Sequence, residues 1–348
     1  MSPLVSILIP AYNAEKWIAD TLRSALSQTW PNKEIIVVDD GSIDRTLSIA
    51  RQFESRPIKV LSQPNQGASS ARNAAFGLSQ GDYIQWLDAD DLLAPDKLGQ
   101  QMQVAALVSK NTLVSAAWGS FMYRVAKARF SPSPLWADLL PLEWLLRRME
   151  QNLHMQTSTW LVSRELTETA GPWDTRLSLD DDGEYFCRVV VASEGIRFVP
   201  DAKVFYRNPG FNRLSNIDGS DKKLESQFDS IMLQIGYVRS LEDSERVRAA
   251  CLNYLQIWFF CFYGVREDLA KKLEQLAFTL GGRLEVPHVR HKYRWIENIA
   301  GRKVARRAQE LFPRAKWTLI PFWDFIVFGF EKFRVGNQVK RLRMLFLR

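Results

Sequence analysis

The chain has 348 residues, 46% of them hydrophobic and 24% charged, with a formal charge of +7; this composition builds a packed core and excludes a disordered chain. Three scattered cysteines (Cys187, Cys251, Cys261) and only three histidines exclude a disulfide framework and a His-rich metal centre, and make a reducing compartment the expectation. The charge is unevenly divided: residues 1–216 carry 22 Lys+Arg against 24 Asp+Glu, whereas residues 217–348 carry 24 against 15. The basic character therefore belongs to the C-terminal third.

Leu4–Ile9, Glu34–Val38, Ile58–Leu61 and Tyr83–Leu87 are β-branched or aromatic runs of strand length, each closed by Pro, Asp, Asn or Gly, and they read as strands. Between them Ala14–Gln28, Asp44–Phe53 and Ser69–Leu78 have helical spacing, and Pro95 opens a further helix over Asp96–Val108. Strands alternating with helices predict βαβ units and an α/β fold, a mostly parallel sheet covered on both faces. In such sheets ligands bind at the carboxyl ends of the strands.

Further along, Thr112–Tyr123, Ser158–Val162 and Arg197–Tyr206 read as extended, and Leu142–Gln151 and Gly183–Ser193 as helical. From about Asp221 the pattern is helical, with segments at Lys222–Leu241, Glu245–Tyr263 and Asp268–Leu280. A soft boundary is expected at residues 216–221, where the Asn212–Ser220 loop, the charge reversal and the change of periodicity coincide, dividing the chain into 1–216 and 217–348. Cys251–Val265 and Trp317–Phe330 are the most apolar stretches, each shorter than the roughly 18–20 residues of a spanning helix. Met1 leads directly into the first strand without a basic or small-residue signal pattern, so neither a spanning helix nor a signal peptide is expected.

Four polar clusters fall at the ends of the predicted strands: Pro10-Ala11-Tyr12-Asn13, Asp39-Asp40-Gly41-Ser42, Asn65-Gln66-Gly67 leading into Ala71-Arg72-Asn73, and Asp88-Ala89-Asp90-Asp91. Asp88, Asp90 and Asp91 repel one another unless a cation holds them. Carboxylate oxygens with little histidine nearby suit Mg²⁺ or Mn²⁺, ions that usually take one or two carboxylates and the phosphates of a substrate. A nucleoside diphosphate is the natural partner. No Gly-x-Gly-x-x-Gly follows the first strand and no P-loop sequence occurs, which disfavours dinucleotide dehydrogenases and P-loop enzymes. Pro10, Ala11 and Tyr12 can instead present backbone groups and an aromatic ring to a nucleobase, with the Asp40 carboxylate accepting from base N–H or ribose hydroxyls.

From "VSILIPAYNAEKWIADTLRSALSQTWPNKEIIVVDDGSIDRT" through "NQGASSARNAAFGLSQGDYIQWLDADD", and more loosely to about Ser215, the chain resembles the family-2 glycosyltransferases, inverting enzymes of the GT-A fold that use nucleotide-sugars. The resemblance implies that Ala11, Tyr12 and Asp40 hold the base, usually uracil, with Arg72 close to it. It also implies that Asp88 and Asp90 form an Asp-x-Asp motif, Asp88 touching the ribose side and Asp90 coordinating Mn²⁺ or Mg²⁺. Leu179–Arg188 matches the family's acidic pair at a helix start. Registered on Glu184 and Arg188, Asp182 aligns with the base that deprotonates the acceptor, and Asp181 with its acidic neighbour.

Gly171-Pro172-Trp173-Asp174 resembles the family's Gly-x-Phe-Asp turn, which implies a part in shaping the acceptor cleft. Val204-Phe205-Tyr206-Arg207 with Leu214-Ser215 resembles a closing segment in which many members carry a histidine metal ligand; here Asn208 stands near that place.

Residues 286–348 hold 15 Lys+Arg against 4 Asp+Glu, interleaved with Trp295, Trp317 and Trp323. Without a nucleic-acid recognition module, no nucleic-acid partner is expected. An anionic membrane surface fits this mixture better, while a solvated basic face and a groove for an anionic or lipid-diphosphate acceptor are its other readings. The whole sequence is thus read as an inverting, metal-dependent transferase. It moves a sugar from a nucleotide-sugar, expected to be UDP-linked, to a hydroxyl of a glycan or lipid-linked saccharide, in the cytoplasm or at the cytoplasmic face of a membrane. A sugar nucleotidyltransferase is disfavoured by the absent Gly-rich loop, and a catalytically silent glycan-binding or membrane-associated scaffold by the retained Asp88, Asp90 and Asp182.

Overall fold

In the computed structural model, residues 2–208, 220–286, 293–296 and 298–299 are described. The N-terminal part is built from β1 (Val5–Ala11), α1 (Ile18–Leu26), β2 (Lys33–Asp39), α2 (Thr46–Arg51), β3 (Ile58–Ser62), α3 (Ala68–Leu78) and β4 (Tyr83–Trp86). There follow β5 (Leu92–Leu93), α4 (Lys97–Ala105), β6 (Thr112–Phe121), β7 (Arg129–Phe130), α5 (Pro141–Gln151), β8 (Val162–Ser163), α6 (Arg164–Ala170), α7 (Asp181–Ala192) and β9 (Gly195–Arg207). Helices α8 (Asp221–Leu241), α9 (Glu245–Phe262) and α10 (Glu267–Thr279) follow.

The main sheet has the order β3-β2-β1-β4-β8, parallel except for β8, which runs antiparallel to β4. Successive strand residues point to opposite faces, and both faces are covered. Ile7 and Ile9 of β1 join Ile35 and Val37 of β2 in one core, whereas Leu8, Ile36 and Val38 enter the other with Trp86, Trp144 and Trp160. This two-sided burial explains why the strands read as continuous apolar runs. The register places Ala11 beside Asp39 and Leu8 beside Trp86, so the loops after β1, β2 and β4 leave the same edge. The α/β, GT-A-type expectation is met.

The segment expected to be extended over Ser158–Val162 departs from its pattern. Thr157–Thr159 is instead a 3₁₀ turn, and only Val162–Ser163 forms a strand. Gln156 causes the change: its side chain accepts from Ser158 N–H at 2.6 Å and its carbonyl accepts from the Thr159 hydroxyl at 2.6 Å, local bonds that compete with ladder pairing. A second sheet, β5-β9-β6-β7, assembles the strands that the sequence placed around 112–123 and 197–206.

Met1–Gly119, Phe130–Tyr206 and Ile217–Pro287 form one compact unit, and Ser120–Arg129, Arg207–Asn216 and His288–Arg348 another. Within the first, α8 packs along α7 and α9 against α5. Within the second, the Arg207 guanidinium lies 4.5 Å from the Phe121 ring centroid, and Asn208 N–H donates to Phe121 C=O at 2.6 Å. Leu214-Ser215 and most of the basic stretch 286–348 lie outside the described residues. Among the described residues no helix is long and apolar enough to cross a membrane.

Candidate active site

Pro10 and Ala11 end β1 as buried residues, while Tyr12 is 43% exposed just beyond them. Asn13 takes a left-handed conformation (φ 49°) and laces this loop to the next, its N–H donating to Ser42 Oγ at 3.0 Å and its Oδ1 accepting from Ile43 N–H at 3.0 Å. Asp40, nearly buried after β2, accepts from Gln63 Nε2 (2.7 Å), Gln66 N–H (3.0 Å) and Gly67 N–H (2.8 Å). Its carboxylate therefore ties the β2 end to the loop that opens α3. A carboxylate has about four acceptor positions, so this duty leaves capacity for a ligand donor. Gly41 is required at the bend: its φ is +71°, and a Cβ there would lie 2.7 Å from Asn65 N.

Arg72 is the centre of the site. Projecting from α3, its Nη2 donates to Asp88 Oδ1 at 2.9 Å and its Nη1 to Asp181 Oδ2 at 2.7 Å, while its guanidinium carbon sits 4.3 Å from the Trp173 ring centroid. Burial favours the neutral form of the guanidinium, but the charges of Asp181 and Asp88 outweigh it and hold its pKa above the ordinary value. Arg72 thus joins the acidic cluster after β4 to the one opening α7. Its neighbour Asn73 fixes the same aromatic residue, Nδ2 donating to Trp173 C=O (2.9 Å) and Oδ1 accepting from Trp173 N–H (2.8 Å).

Asp88 and Asp90 are partly exposed at the end of β4, whereas Asp91 is fully buried. Gln156 Nε2 donates to Asp91 Oδ2 and, at 3.5 Å, approaches Asp88 Oδ2. Asp181 Oδ2 also accepts from Ser69 Oγ at 3.2 Å. Asp182 has Thr157 Oγ1 3.4 Å from its Oδ2, and its Oδ1 accepts from Gly183 N–H at 2.9 Å. Loss of surrounding water, then the charges of Asp181 and Asp180, push the Asp182 carboxyl up to about 7. Such a carboxyl is poised to exchange a proton near neutrality.

Gln156 and Thr157 carry no signal in the sequence, because nothing in a run of small polar residues reveals that a turn points them at acids 65 and 25 residues away. A group of three or more His, Cys, Asp or Glu arranged to hold a metal does not occur among the described residues. Of the acids after β4, Asp88 and Asp90 are the partly exposed ones.

A parallel-rich sheet with acidic residues converging at its carboxyl edge defines a GT-A-type α/β domain. The crystal structure of S. aureus TarS 1-349 in complex with UDP-GlcNAc has the same fold, with a TM-score of 0.63 over 79% of this chain and 81% of that one at 17% identity. Residues 6–167 match the family model of glycosyl transferase family 2. The putative teichuronic acid biosynthesis glycosyltransferase TuaG of Bacillus subtilis is 44% identical over 104 residues, 29% of this chain and 41% of TuaG. The uncharacterized glycosyltransferase EpsJ of Bacillus subtilis is 29% identical over 242 residues, 66% of this chain and 69% of EpsJ. The match to TuaG thus spans about two fifths of that relative's length.

Proposed function

We propose that the chain is an inverting glycosyltransferase that moves a sugar from a nucleotide-sugar, UDP-linked by preference, to a hydroxyl of a glycan or lipid-linked saccharide. One observation carries the reading: Arg72 draws Asp88 and Asp181 onto a single guanidinium, beside an Asp182 whose carboxyl is pushed up to about 7. Phosphate-side and acceptor-side acids thus share one cluster. The UDP-GlcNAc complex of TarS supports the choice of donor class, and TuaG, named for teichuronic acid biosynthesis, supports a glycan acceptor.

In this reading Pro10, Ala11 and Tyr12 receive the base, with Asp40 accepting from its N–H or from ribose hydroxyls. Asp88 faces the ribose and diphosphate. Asp88 and Asp90 would hold Mn²⁺ or Mg²⁺, since hard carboxylate oxygens suit such ions. Bound there, such an ion would supply positive charge to offset that of the departing diphosphate. Asp182 accepts the proton of the attacking hydroxyl, opposite the leaving group. Asp181, held by Arg72 and Ser69, keeps a negative charge beside Asp182 and thereby favours its proton-accepting role near neutral pH.

Residues 1–216 are proposed as the donor-binding catalytic part and 217–348 as a helical part that docks the enzyme, with the basic 286–348 stretch on an anionic membrane surface at its cytoplasmic face. Calorimetry with UDP and Mn²⁺, followed by turnover of a nucleotide-sugar panel, tests the function. Metal-dependent UDP binding and hydrolysis or transfer of one donor with inversion at the anomeric carbon are expected. No nucleotide binding, or a product of retained configuration, would overturn it. Flotation on phosphatidylserine vesicles, with and without residues 286–348, tests the docking.

A further inference from the structure

We infer that helix α8 is a positioning element for the proposed base: its buried polar row Ser226, Gln227, Ser230 and Gln234 clamps the Ser178–Asp180 turn and so fixes where Asp181 and Asp182 emerge. The inference rests on Asp182 being the base, and deepens that reading.

These four side chains lie along one side of α8, at most 4% exposed. Buried hydroxyls and amides need partners, and each of the four finds one in residues 178–180. Ser226 Oγ accepts from Ser178 N–H and Leu179 N–H, both at 2.9 Å, and lies 2.9 Å from Leu179 C=O. Asp180 Oδ2 gathers Ser230 Oγ (2.7 Å), Gln234 Nε2 (2.8 Å) and Gln227 Nε2 (3.3 Å). On its far side Gln234 accepts from Arg148 of α5, which extends the clamp to a third helix.

The clamped turn is unfavourable by itself. Asp180 is left-handed (φ 56°, ψ 27°), a conformation that non-glycine residues hold only when their surroundings impose it. Three donors converging on one carboxylate oxygen supply that imposition. The following residues are shaped to the same end, since a Cβ on Gly183 would lie 2.1 Å from Asp180 Oδ1 and 2.9 Å from Arg148 Nη2. One helical turn further, Tyr237 Oη of α8 donates to Glu184 Oε1 at 2.9 Å, beside the Glu184–Arg188 ion pair. Helix α8 therefore grips the chain on both sides of Asp181 and Asp182 without touching either carboxylate through these bonds. A base works only within hydrogen-bond reach of the proton it takes, and a displacement of about 1 Å can cost about 100-fold in rate.

The test compares Asp180→Gly, which permits the left-handed backbone but removes the anchor, with Asp180→Asn, which keeps an acceptor oxygen, and with Gln234→Met on α8. Deuterium uptake over residues 178–186 is measured alongside turnover of the donor selected from the nucleotide-sugar panel. Asp180→Gly and Gln234→Met are expected to raise uptake in 178–186 at least tenfold in rate while leaving β1–β4 unchanged, and to lower kcat at least tenfold with donor KM within twofold. Asp180→Asn should recover most of kcat. Unchanged uptake over 178–186 in Asp180→Gly overturns the inference whatever the activity, as does wild-type kcat in that variant. Failure of the underlying reading is a separate result: Asp182→Asn would retain turnover.

Discussion

Arg72 Nη1 lies 2.7 Å from Asp181 Oδ2 across 109 residues of sequence, and the same guanidinium reaches Asp88 at 2.9 Å. Removing one partner from a buried charge cluster leaves the others uncompensated. Arg72→Lys keeps the charge but cannot present two parallel N–H groups to two acids, nor stack on Trp173 as a planar ion. We expect it to lose about 2–3 kcal/mol of stability, read by urea denaturation, and at least 100-fold in turnover.

Asp182 must be ionised to accept a proton. With its carboxyl pushed up to about 7, kcat/KM should fall tenfold per unit below that pH. Asp181→Asn removes a neighbouring negative charge that raises the Asp182 pKa, so the acidic limb should move to lower pH. A pH–rate profile measured with saturating Mn²⁺ checks the direction, and a limb that moves upward refutes the coupling.

The same residue makes stability depend on pH. Asp182 is raised from 3.8 to about 7, so between these values the folded state binds more protons than the unfolded one. Its stabilising contribution is full below about pH 4 and is lost as pH rises through 7. Asp182→Asn should therefore be more stable than the wild type at pH 8, by about 1–2 kcal/mol after allowance for solvent screening, while turnover falls at least 100-fold. Thermal melts at pH 5 and pH 8 give the comparison.

Lys97 is fully buried, with its ammonium nitrogen donating to Gln85 Oε1. Burial lowers its pKa well below the ordinary 10.5. Between the lowered value and 10.5 the unfolded chain binds the extra proton, so this group makes stability rise with pH. The unfolding free energy of the wild type, from denaturant titrations, should climb toward pH 10 by up to about 1.4 kcal/mol per unit in that window. In Lys97→Met this part of the slope should vanish.

Much of this protein is determined locally. β-branched runs closed by Pro, Asp or Gly specify strands, helical spacing specifies the connections, and their alternation specifies a parallel sheet whose carboxyl edge gathers Tyr12, Asp40, Asp88 and Asp90. Periodicity works there because burial on both faces demands it of every strand residue. What tertiary structure alone decided is the pairing of polar groups. Arg72 turning to Asp181, Gln156 turning to Asp91, and Gln227, Ser230 and Gln234 turning inward to Asp180 all join positions dozens of residues apart. In sequence a Ser or Gln on a helix looks the same whether it meets water or a buried carboxylate, because its partner is supplied by another element. The local pattern therefore places the acids at one edge, and only the packing of α3, α7 and α8 decides which of them are joined and how the proposed proton acceptor is held.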